Sequence, residues 1–212
     1  EKRFINDASH QLRTPLAGLI SQVELAQRET ADPVVVPRLN KVRTGAERSA
    51  HLVHQLLTLA RTETTARRET LDLAALAREV AREWTPKAVA SGVDLGFEGN
   101  DHREMQGDAL QLREAMANLI DNALRYTPRG SAVTLKVEAH GDSTRLIVED
   151  NGPGLSDGDM AHVFQRFWRA SEQPGGCGLG LAIVKEIARR HGGDAQVERV
   201  VPQGLRVVLT LM

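Results

Sequence analysis

The spacing of apolar residues changes once along this 212-residue chain, and that change most constrains its fold. From Phe4 to about Thr64, apolar residues recur every three or four positions, which is typical of helices that bury a narrow stripe. Further along, helical stretches alternate with short strands. The sequence therefore predicts a helical domain at 1–65, a linker at 66–70 and a second domain at 71–212.

The N-terminal domain is predicted to be a helical hairpin. Its two helices are separated by Ala31-Asp32-Pro33, and Pro37 can lie in the first turn of the second helix. The stripe residues are Phe4, Ala8, Leu12, Pro15, Leu19, Val23 and Ala26, then Leu39, Val42, Ala46, Ser49, Val53, Leu56 and Ala60. A single hairpin buries little of either stripe, so we expect a dimeric four-helix bundle. The alternative is that both stripes pack on the rest of the same chain.

The second domain mixes helices with clustered strands. The predicted helices are Leu73–Val89, Asp108–Tyr126 and Leu179–His191, and the predicted strands are Val93–Glu98, Val133–Ala139, Arg145–Asp150, Ala195–Val200 and Leu205–Leu211. Gly141-Asp142 is a hairpin-turn signal. Gly192-Gly193 ends the last helix, where His191 is placed to interact with the helix dipole. Strands with helices on one face predict an α+β sandwich.

Composition excludes several classes of protein. Lys and Arg total 27 against 28 Asp and Glu, so the net charge of −1 disfavours a nucleic-acid partner or a membrane-surface protein. A single cysteine rules out an internal disulfide. No apolar run approaches the roughly 20 residues of a membrane-spanning helix. Because the chain opens at Glu1 without a signal-peptide pattern, we expect it to be part of a longer protein.

One histidine is predicted to face solvent from the first helix. With about 100° per residue and Ala8 at zero, the buried face lies near 20–80° and His10 lies at about 200°. The outward face around it carries small residues, namely Thr14, Ala17, Gly18 and Ser21. A bulky partner could therefore approach His10 closely. A free imidazole is largely unprotonated at neutral pH and can accept a phosphoryl group.

Polar side chains in the long helix of the second domain are suited to a phosphate ligand. Asn118 and Asn122 are four residues apart and share one face, where amide oxygens could bind Mg²⁺. One turn later, Arg125 offers a phosphate fork and Tyr126 a flat surface.

Two glycine-rich segments follow. In Asp150-Asn151-Gly152-Pro153-Gly154, a carboxylate at a strand end could accept a hydrogen bond from the exocyclic amine of adenine. Residues 175–181, read GGCGLGL, open a helix whose N-terminal N–H groups could bind phosphate. A dinucleotide-binding fold fits poorly, because residues 164–169, read FQRFWR, and a loop precede these glycines instead of a strand.

These segments carry a family resemblance. Residues 4–16, read FINDASHQLRTPL, resemble the phosphoacceptor box of bacterial sensor histidine kinases. The four later segments resemble, in order, the N, G1, F and G2 boxes of the ATP-binding domain shared by histidine kinases, heat-shock ninety chaperones, DNA gyrase and MutL proteins. The resemblance implies a sandwich of the GHKL (Bergerat) type that binds ATP and Mg²⁺. It also implies autophosphorylation of His10 and transfer to an aspartate of a response-regulator receiver domain.

The resemblance also assigns roles to single residues. Gln11 stands where most members have an acidic residue, and it could orient the histidine ring but not act as a base. Thr14 matches the position that helps remove phosphate from the partner. Asn118 stands where ATP-hydrolysing relatives have a glutamate base, which should suppress hydrolysis. The implied nucleotide ligands are Asn118, Asn122, Arg125, Tyr126, Asp150, Gly152, Gly154, Arg166 or Arg169, Gly176, Gly178, Leu179 and Gly180, with Asn118 and Asn122 also holding Mg²⁺.

The resemblance further implies a signalling homodimer in the cytoplasmic portion of a bacterial inner-membrane sensor, attached to the membrane through a region outside this chain. The competing hypothesis is a non-catalytic, nucleotide-sensing dimerisation module in which the change at Gln11 has removed kinase activity.

Overall fold

The computed structural model describes residue 15 and residues 18–62, 68–99, 101–170 and 178–212. These residues form two compact units, one ending at residue 62 and one beginning at residue 68. Within the described ranges, every helix is either too short or too polar to span a bilayer.

The N-terminal unit contains the predicted pair of helices. Helix α1 includes residues 18–29, and α2 is Val35–Thr62. Asp32 forms the turn between them: its Oδ1 accepts a hydrogen bond from the Val34 N–H at 2.8 Å, and its main-chain oxygen accepts one from the Val36 N–H at 3.0 Å. Pro37 lies in the first turn of α2, where its missing N–H has no cost.

The apolar stripe of this unit is only partly covered. Val23 and Ala46 are buried, at 6% exposed each. Leu19 and Val42 belong to the same predicted stripes but are 45% and 48% exposed. A single hairpin therefore leaves apolar stripe residues in contact with water.

The C-terminal unit contains four helices and seven strands among its described residues. The helices are α3 (Leu73–Ser91), α4 (Ala109–Tyr126), α5 (Asp157–Met160) and α6 (Gly180–Arg190). The strands are β1 (Glu69–Asp72), β2 (Asp94–Gly99), β3 (Glu104–Gly107), β4 (Ala132–His140), β5 (Ser143–Asp150), β6 (Asp194–Arg199) and β7 (Leu205–Leu211). The main sheet has the order β2-β4-β5-β7-β6, in which β2 and β4 are parallel and the other pairs are antiparallel. Strands β1 and β3 form a separate antiparallel pair.

Three helices form the second layer of the sandwich. Helix α4 packs between α3 and α6, and all three contact the sheet. The strands show which face is covered: Val133, Leu135 and Val137 of β4 are buried, whereas Thr134 and Lys136 between them are not. This alternation is that of a sheet with one covered face, and the predicted α+β sandwich is confirmed.

The buried His191 connects two helix ends. It is fully buried at the C-terminus of α6, and its Nε2 accepts a hydrogen bond from the Asp108 N–H at 3.0 Å. Because Nε2 accepts, the proton must be on Nδ1, which donates to the Ile187 carbonyl oxygen at 2.8 Å. Burial lowers the pKa of His191. The prediction that His191 interacts with the helix dipole is therefore wrong. The ring is neutral and stabilises this helix end through hydrogen bonds.

Several short elements differ from the sequence prediction. Strands β1 and β3 and the four-residue helix α5 were not predicted, and β1 includes Glu69 and Thr70 of the predicted linker. Helix α3 continues two residues past the predicted end at Val89 and stops at Gly92, which adopts a left-handed conformation with φ of 69°.

Candidate functional site

The centre of the candidate site is Asp150, the last residue of β5. Its Oδ1 accepts hydrogen bonds from the Gly152 N–H at 2.9 Å and the Leu205 N–H at 3.4 Å. Its Oδ2 makes no hydrogen bond to any part of the chain that the structure describes. Burial raises the pKa of Asp150, against the lowering effect of the two N–H groups. One oxygen is thus fixed by the main chain and the other remains available as an acceptor.

Three glycines make this arrangement possible. A Cβ on Gly204, at φ of 133°, would lie 2.0 Å from the Asp150 main-chain oxygen, and one on Gly154, at φ of 71°, would lie 3.0 Å from the Gly204 oxygen. A Cβ on Gly152 would lie 2.9 Å from Oδ1 of Asp150 and 3.3 Å from Oγ1 of Thr127. A side chain at position 154 or 204 would push apart main-chain segments that approach closely here, and one at position 152 would displace the carboxylate or fill the space beside it.

Helix α4 carries the two asparagines on one face, as predicted from their spacing. Asn118 is 7% exposed, and its Nδ2 donates to the main-chain oxygen of Glu114 at 2.9 Å and to Glu114 Oε1 at 3.2 Å. These bonds set the orientation of the amide, so Oδ1 points away from Glu114. Asn122 is half-buried one turn later.

The donor set on α4 fits Mg²⁺ bound together with phosphate. No group of three or more His, Cys, Asp or Glu residues that could hold a metal occurs within the described ranges. Two amide oxygens would therefore supply a minority of the ligands. Mg²⁺ commonly keeps several waters and takes phosphate oxygens for the rest of its octahedral shell.

Arg125 is held by an ion pair with a neighbouring carboxylate. Its Nη2 lies 2.6 Å from Asp121 Oδ2, while Lys87 Nζ lies 2.5 Å from Asp121 Oδ1. Burial alone would raise the pKa of Asp121, but Lys87 and Arg125 outweigh it and lower the pKa. Tyr126, the last residue of α4, is half-buried. Arg125 would have to leave Asp121, at least in part, to reach a phosphate.

The described part of the second glycine segment packs against residues 164–169. The Phe167 N–H donates to the Gly178 oxygen at 2.8 Å, and a Cβ on Gly178 would lie 2.6 Å from the Phe167 carbonyl carbon. The side chain of Leu179 is fully buried, so only its main chain could contact a ligand. Gly180 begins α6, which packs against α4.

Other predicted site residues cannot be placed in this geometry. His10, Gln11, Thr14 and Gly176 lie outside the described residues. Arg166 is exposed on the C-terminal unit, and Arg169 is half-buried.

The sequence reasoning missed Thr127 and Glu114, and it considered Gly204 only as a remnant of a further glycine box. Thr127 and Gly204 were not identified as neighbours of Asp150, because each becomes adjacent through folding. Glu114 was missed as the partner of Asn118, although its i, i+4 spacing on a predicted helix was a usable signal.

Two protein-family models match this chain. Residues 1–65 match the family model of the His Kinase A (phospho-acceptor) domain. Residues 107–212 match the model of the histidine kinase-, DNA gyrase B- and HSP90-like ATPase. The chain belongs to the histidine kinase family. The predicted family and the predicted order of a helical phosphoacceptor region and a GHKL-type sandwich are confirmed.

Two curated relatives are sensor proteins. The sensor protein QseC of Salmonella typhimurium is 34% identical over 216 residues, which cover 99% of this chain and 47% of QseC. The sensor protein kinase PmrB of Pseudomonas aeruginosa is 38% identical over 203 residues, which cover 92% of this chain and 42% of PmrB. The chain thus spans about half the length of the curated relatives it matches.

Solved structures of histidine kinases share the fold. Full-length ShkA in complex with AMPPNP matches with a TM-score of 0.77 at 25% identity, over 99% of this chain and 45% of ShkA. The Acinetobacter baumannii histidine kinase AdeS matches with a TM-score of 0.66 at 24% identity, over 95% of this chain and 96% of that chain.

Proposed function

We propose that this chain is the catalytic core of a two-component sensor kinase that phosphorylates itself on His10 with ATP. It then passes the phosphoryl group to an aspartate of a response-regulator receiver domain. The observation that carries the proposal is the available acceptor oxygen of Asp150, beside the asparagine-bearing helix, in a chain that also matches the phosphoacceptor family. Residues 1–65, 66–70 and 71–212 remain the proposed phosphoacceptor domain, linker and ATP-binding domain.

The ligand is proposed to be ATP with Mg²⁺. Asp150 Oδ2 would accept a hydrogen bond from the exocyclic amine of adenine. Gly152 and Gly154 would let the base approach the main chain. ShkA, which shares the fold, was solved with AMPPNP, an analogue of ATP. Asn118 and Asn122 would hold Mg²⁺, which, when bound, neutralises charge on the phosphates. Tyr126, Arg125, Arg166, Gly176, Gly178, Leu179 and Gly180 complete the proposed nucleotide contacts.

In the proposed reaction, an imidazole nitrogen of His10 attacks the γ-phosphorus in line. A nitrogen–phosphorus bond forms, the bond from the γ-phosphorus to the bridging oxygen breaks, and ADP leaves with the electron pair. Catalysis comes from positioning and charge neutralisation. Asn118 cannot take a proton from water, so the residue at this position does not promote hydrolysis of ATP.

Gln11 and Thr14 are proposed to act around the same histidine. The Gln11 amide oxygen would accept a hydrogen bond from the ring N–H of His10 and so select its tautomer. Thr14 would help to hold the water that removes phosphate from the receiver, which would give the core a second activity as a phosphatase.

The proposed partners are a second copy of the chain and a receiver domain. The half-exposed stripe residues Leu19 and Val42 support the homodimer, because a second hairpin would cover them. The receiver would dock on the face of small residues below His10. No nucleic acid is proposed as a partner. The proposed location is cytoplasmic, because a solved structure similar to this chain is the cytoplasmic segment of the histidine kinase QseC, and the membrane would be reached through a segment outside this chain.

Incubation with ATP labelled at the γ-phosphate tests the proposal. We expect acid-labile, alkali-stable label on the wild-type chain, no label on His10→Gln, and unchanged label on the control His140→Gln, whose histidine is exposed at the end of β4. Asp150→Asn should weaken ATP binding about tenfold or more, because an amide nitrogen would face the base amine in one of its orientations. Label that persists in His10→Gln would overturn the assignment.

Gln11 favours one alternative, the non-catalytic nucleotide-sensing module, because an amide replaces the usual acidic residue. The same experiment separates the two functions. ATP binding that Asp150→Asn weakens, with no label on the wild-type chain, would support the sensing module and contradict the kinase.

A further inference from the structure

Two cations share the carboxylate of Asp121. This side chain is 14% exposed on α4. Its Oδ1 lies 2.5 Å from Nζ of Lys87 on α3, and its Oδ2 lies 2.6 Å from Nη2 of Arg125, one turn further along α4. Burial alone would raise the pKa of Asp121, but the two cations lower it, so the group is charged at neutral pH. Each carboxylate oxygen therefore has its own cation.

The two cations differ in how they are held. Nζ of Lys87 also lies 4.5 Å from the centre of the Trp84 ring, so a second attraction holds this ammonium in place. Arg125 bonds to Asp121 through Nη2 alone, as far as the described ranges extend. A guanidinium has five N–H donors, so most of the donor capacity of Arg125 is not used in this contact. Arg125 is the more easily exchanged of the two partners.

The position of Arg125 on α4 indicates where it can move. Asn122 lies three residues earlier, so the two side chains are neighbours on the helix surface. Asn122 is proposed to hold Mg²⁺, whose shell is completed by phosphate oxygens and water. A phosphate group bound there would offer the guanidinium a charged, bidentate acceptor. Mg·ATP would therefore compete with Asp121 for Arg125.

Lys87 makes the departure of Arg125 affordable for the fold. A buried carboxylate that loses its only cation is strongly destabilising, because the protein interior does not solvate the charge. Asp121 would keep Lys87 on Oδ1 after Arg125 has left Oδ2. The charge of Asp121 thus stays paired while Arg125 changes partners.

We infer that Asp121 is a holding site for Arg125 that competes with the phosphates of ATP, and that Lys87 is a positioning residue that permits the exchange. This inference rests on the proposed nucleotide site and adds a regulation of that site. In the empty site, Asp121 pairs with both cations. With ATP bound, Lys87 alone neutralises Asp121. When ADP leaves, Arg125 returns to Asp121, so the carboxylate limits affinity and favours release of the product.

Calorimetric titration of the full chain with Mg·ATP tests the holding site. We expect Asp121→Asn to bind about threefold more tightly than wild type or better, because Arg125 is no longer held by a carboxylate. The double variant Arg125→Met/Asp121→Asn should bind no more tightly than Arg125→Met. A plain loss of negative charge would raise the affinity in both backgrounds, and that result would overturn the inference.

Lys87→Met should have the opposite effect. We expect it to bind Mg·ATP about tenfold more weakly, because Arg125 could then leave only by exposing an unpaired buried carboxylate. The double variant Lys87→Met/Asp121→Asn should stay within about twofold of Asp121→Asn, since no carboxylate remains to be neutralised. Arg82→Met, which removes an exposed cation from the same helix, is the control and should bind as wild type does. A double variant that still binds tenfold more weakly than Asp121→Asn would show that Lys87 does not act through Asp121, and would overturn the inference.

Thermal unfolding without nucleotide shows which variants are folded. If Lys87→Met does not fold, the two comparisons that use Asp121→Asn decide the matter. Failure of Asp121→Asn to fold, or wild-type affinity in this variant, would overturn the inference. If the wild-type chain binds Mg·ATP and Asp150→Asn weakens that binding, such a result counts against Asp121 alone. If the wild-type chain does not bind Mg·ATP, the proposed function itself fails.

Discussion

The two units of the chain bury their apolar residues to different extents. In the C-terminal unit, side chains such as Leu119, Leu146 and Ile183 are at most 1% exposed, because helices cover one face of the sheet. In the N-terminal unit, Leu19 and Val42 stay near half exposure although they belong to the same stripes as the buried Val23 and Ala46. A sandwich completes its core within one chain, whereas a two-helix hairpin does not. The described part of the first unit therefore leaves apolar surface exposed that the proposed second hairpin would cover, and the second unit does not.

The largest expected effect tests the self-contained core. Ile183→Ala in α6 should lower the free energy of unfolding of the C-terminal unit by about 3 kcal/mol, through lost burial and a cavity. Tryptophan fluorescence in urea measures this, because both tryptophans, Trp84 and Trp168, belong to this unit. The exposed Val89→Ala is the control and should change the value by less than about 0.5 kcal/mol. A midpoint that shifts with protein concentration would contradict the comparison.

The next effect concerns the buried histidine of the same unit. His191→Phe should lower the free energy of unfolding by about 2 kcal/mol, since it leaves the Asp108 N–H and the Ile187 oxygen without their partner. Because burial lowers the pKa of His191, the unfolded chain binds a proton more readily. Wild-type stability should therefore fall below about pH 6.5, by up to about 1.4 kcal/mol per pH unit from this group.

This pH dependence is measured by urea unfolding at several pH values between 5 and 8. The difference between wild type and His191→Phe should shrink as the pH falls, because the variant lacks the group that titrates. The exposed His140→Phe is the matched control and should keep the wild-type pH dependence. A difference that stays constant from pH 8 to pH 5 would show that His191 does not titrate in this range.

The smallest expected effect tests the incomplete stripe. Val42→Asp should raise the dissociation constant of the proposed dimer about tenfold, since a carboxylate would be buried without a partner. Sedimentation over a range of concentrations measures this. Arg38→Asp, on an exposed residue outside the predicted stripe, is the control and should have a smaller effect. A wild-type chain that is monomeric at all concentrations would contradict the proposed dimer and the contrast between the two units.

Local patterns predicted the longer elements of the fold. Helix α4 has a strong apolar period and is capped by Asp108, whose side chain accepts hydrogen bonds from the Leu110 and Gln111 N–H groups. The hairpin of β4 and β5 turns at Gly141, with φ of 57° as its signal requires. Strands β1 and β3 have four residues each and pair across a long separation, so no local pattern indicates them.

The residues of the candidate site likewise fall into those that a local sequence pattern indicates and those that it does not. Asp150, Asn118 and Asn122 were predicted as ligands from their residue types and their spacing alone, and they stay predictions. The contacts of Thr127 and Gly204 with the Asp150 loop arise from the chain path, which a pattern of residue types does not contain. The neutral state of His191 likewise depends on complete burial, whereas its position at a helix end suggested a charge.

The two ends of α4 are connected to different sheets. One residue, Asp108, separates its first turn from β3, which pairs with β1, and five residues separate its last turn from β4 of the main sheet. A movement of α4 along its own axis would therefore have to disturb one of these two short connections. The helix face that bears Asn118 and Asn122 is thus held in place from both ends, by two independent sets of strand pairs.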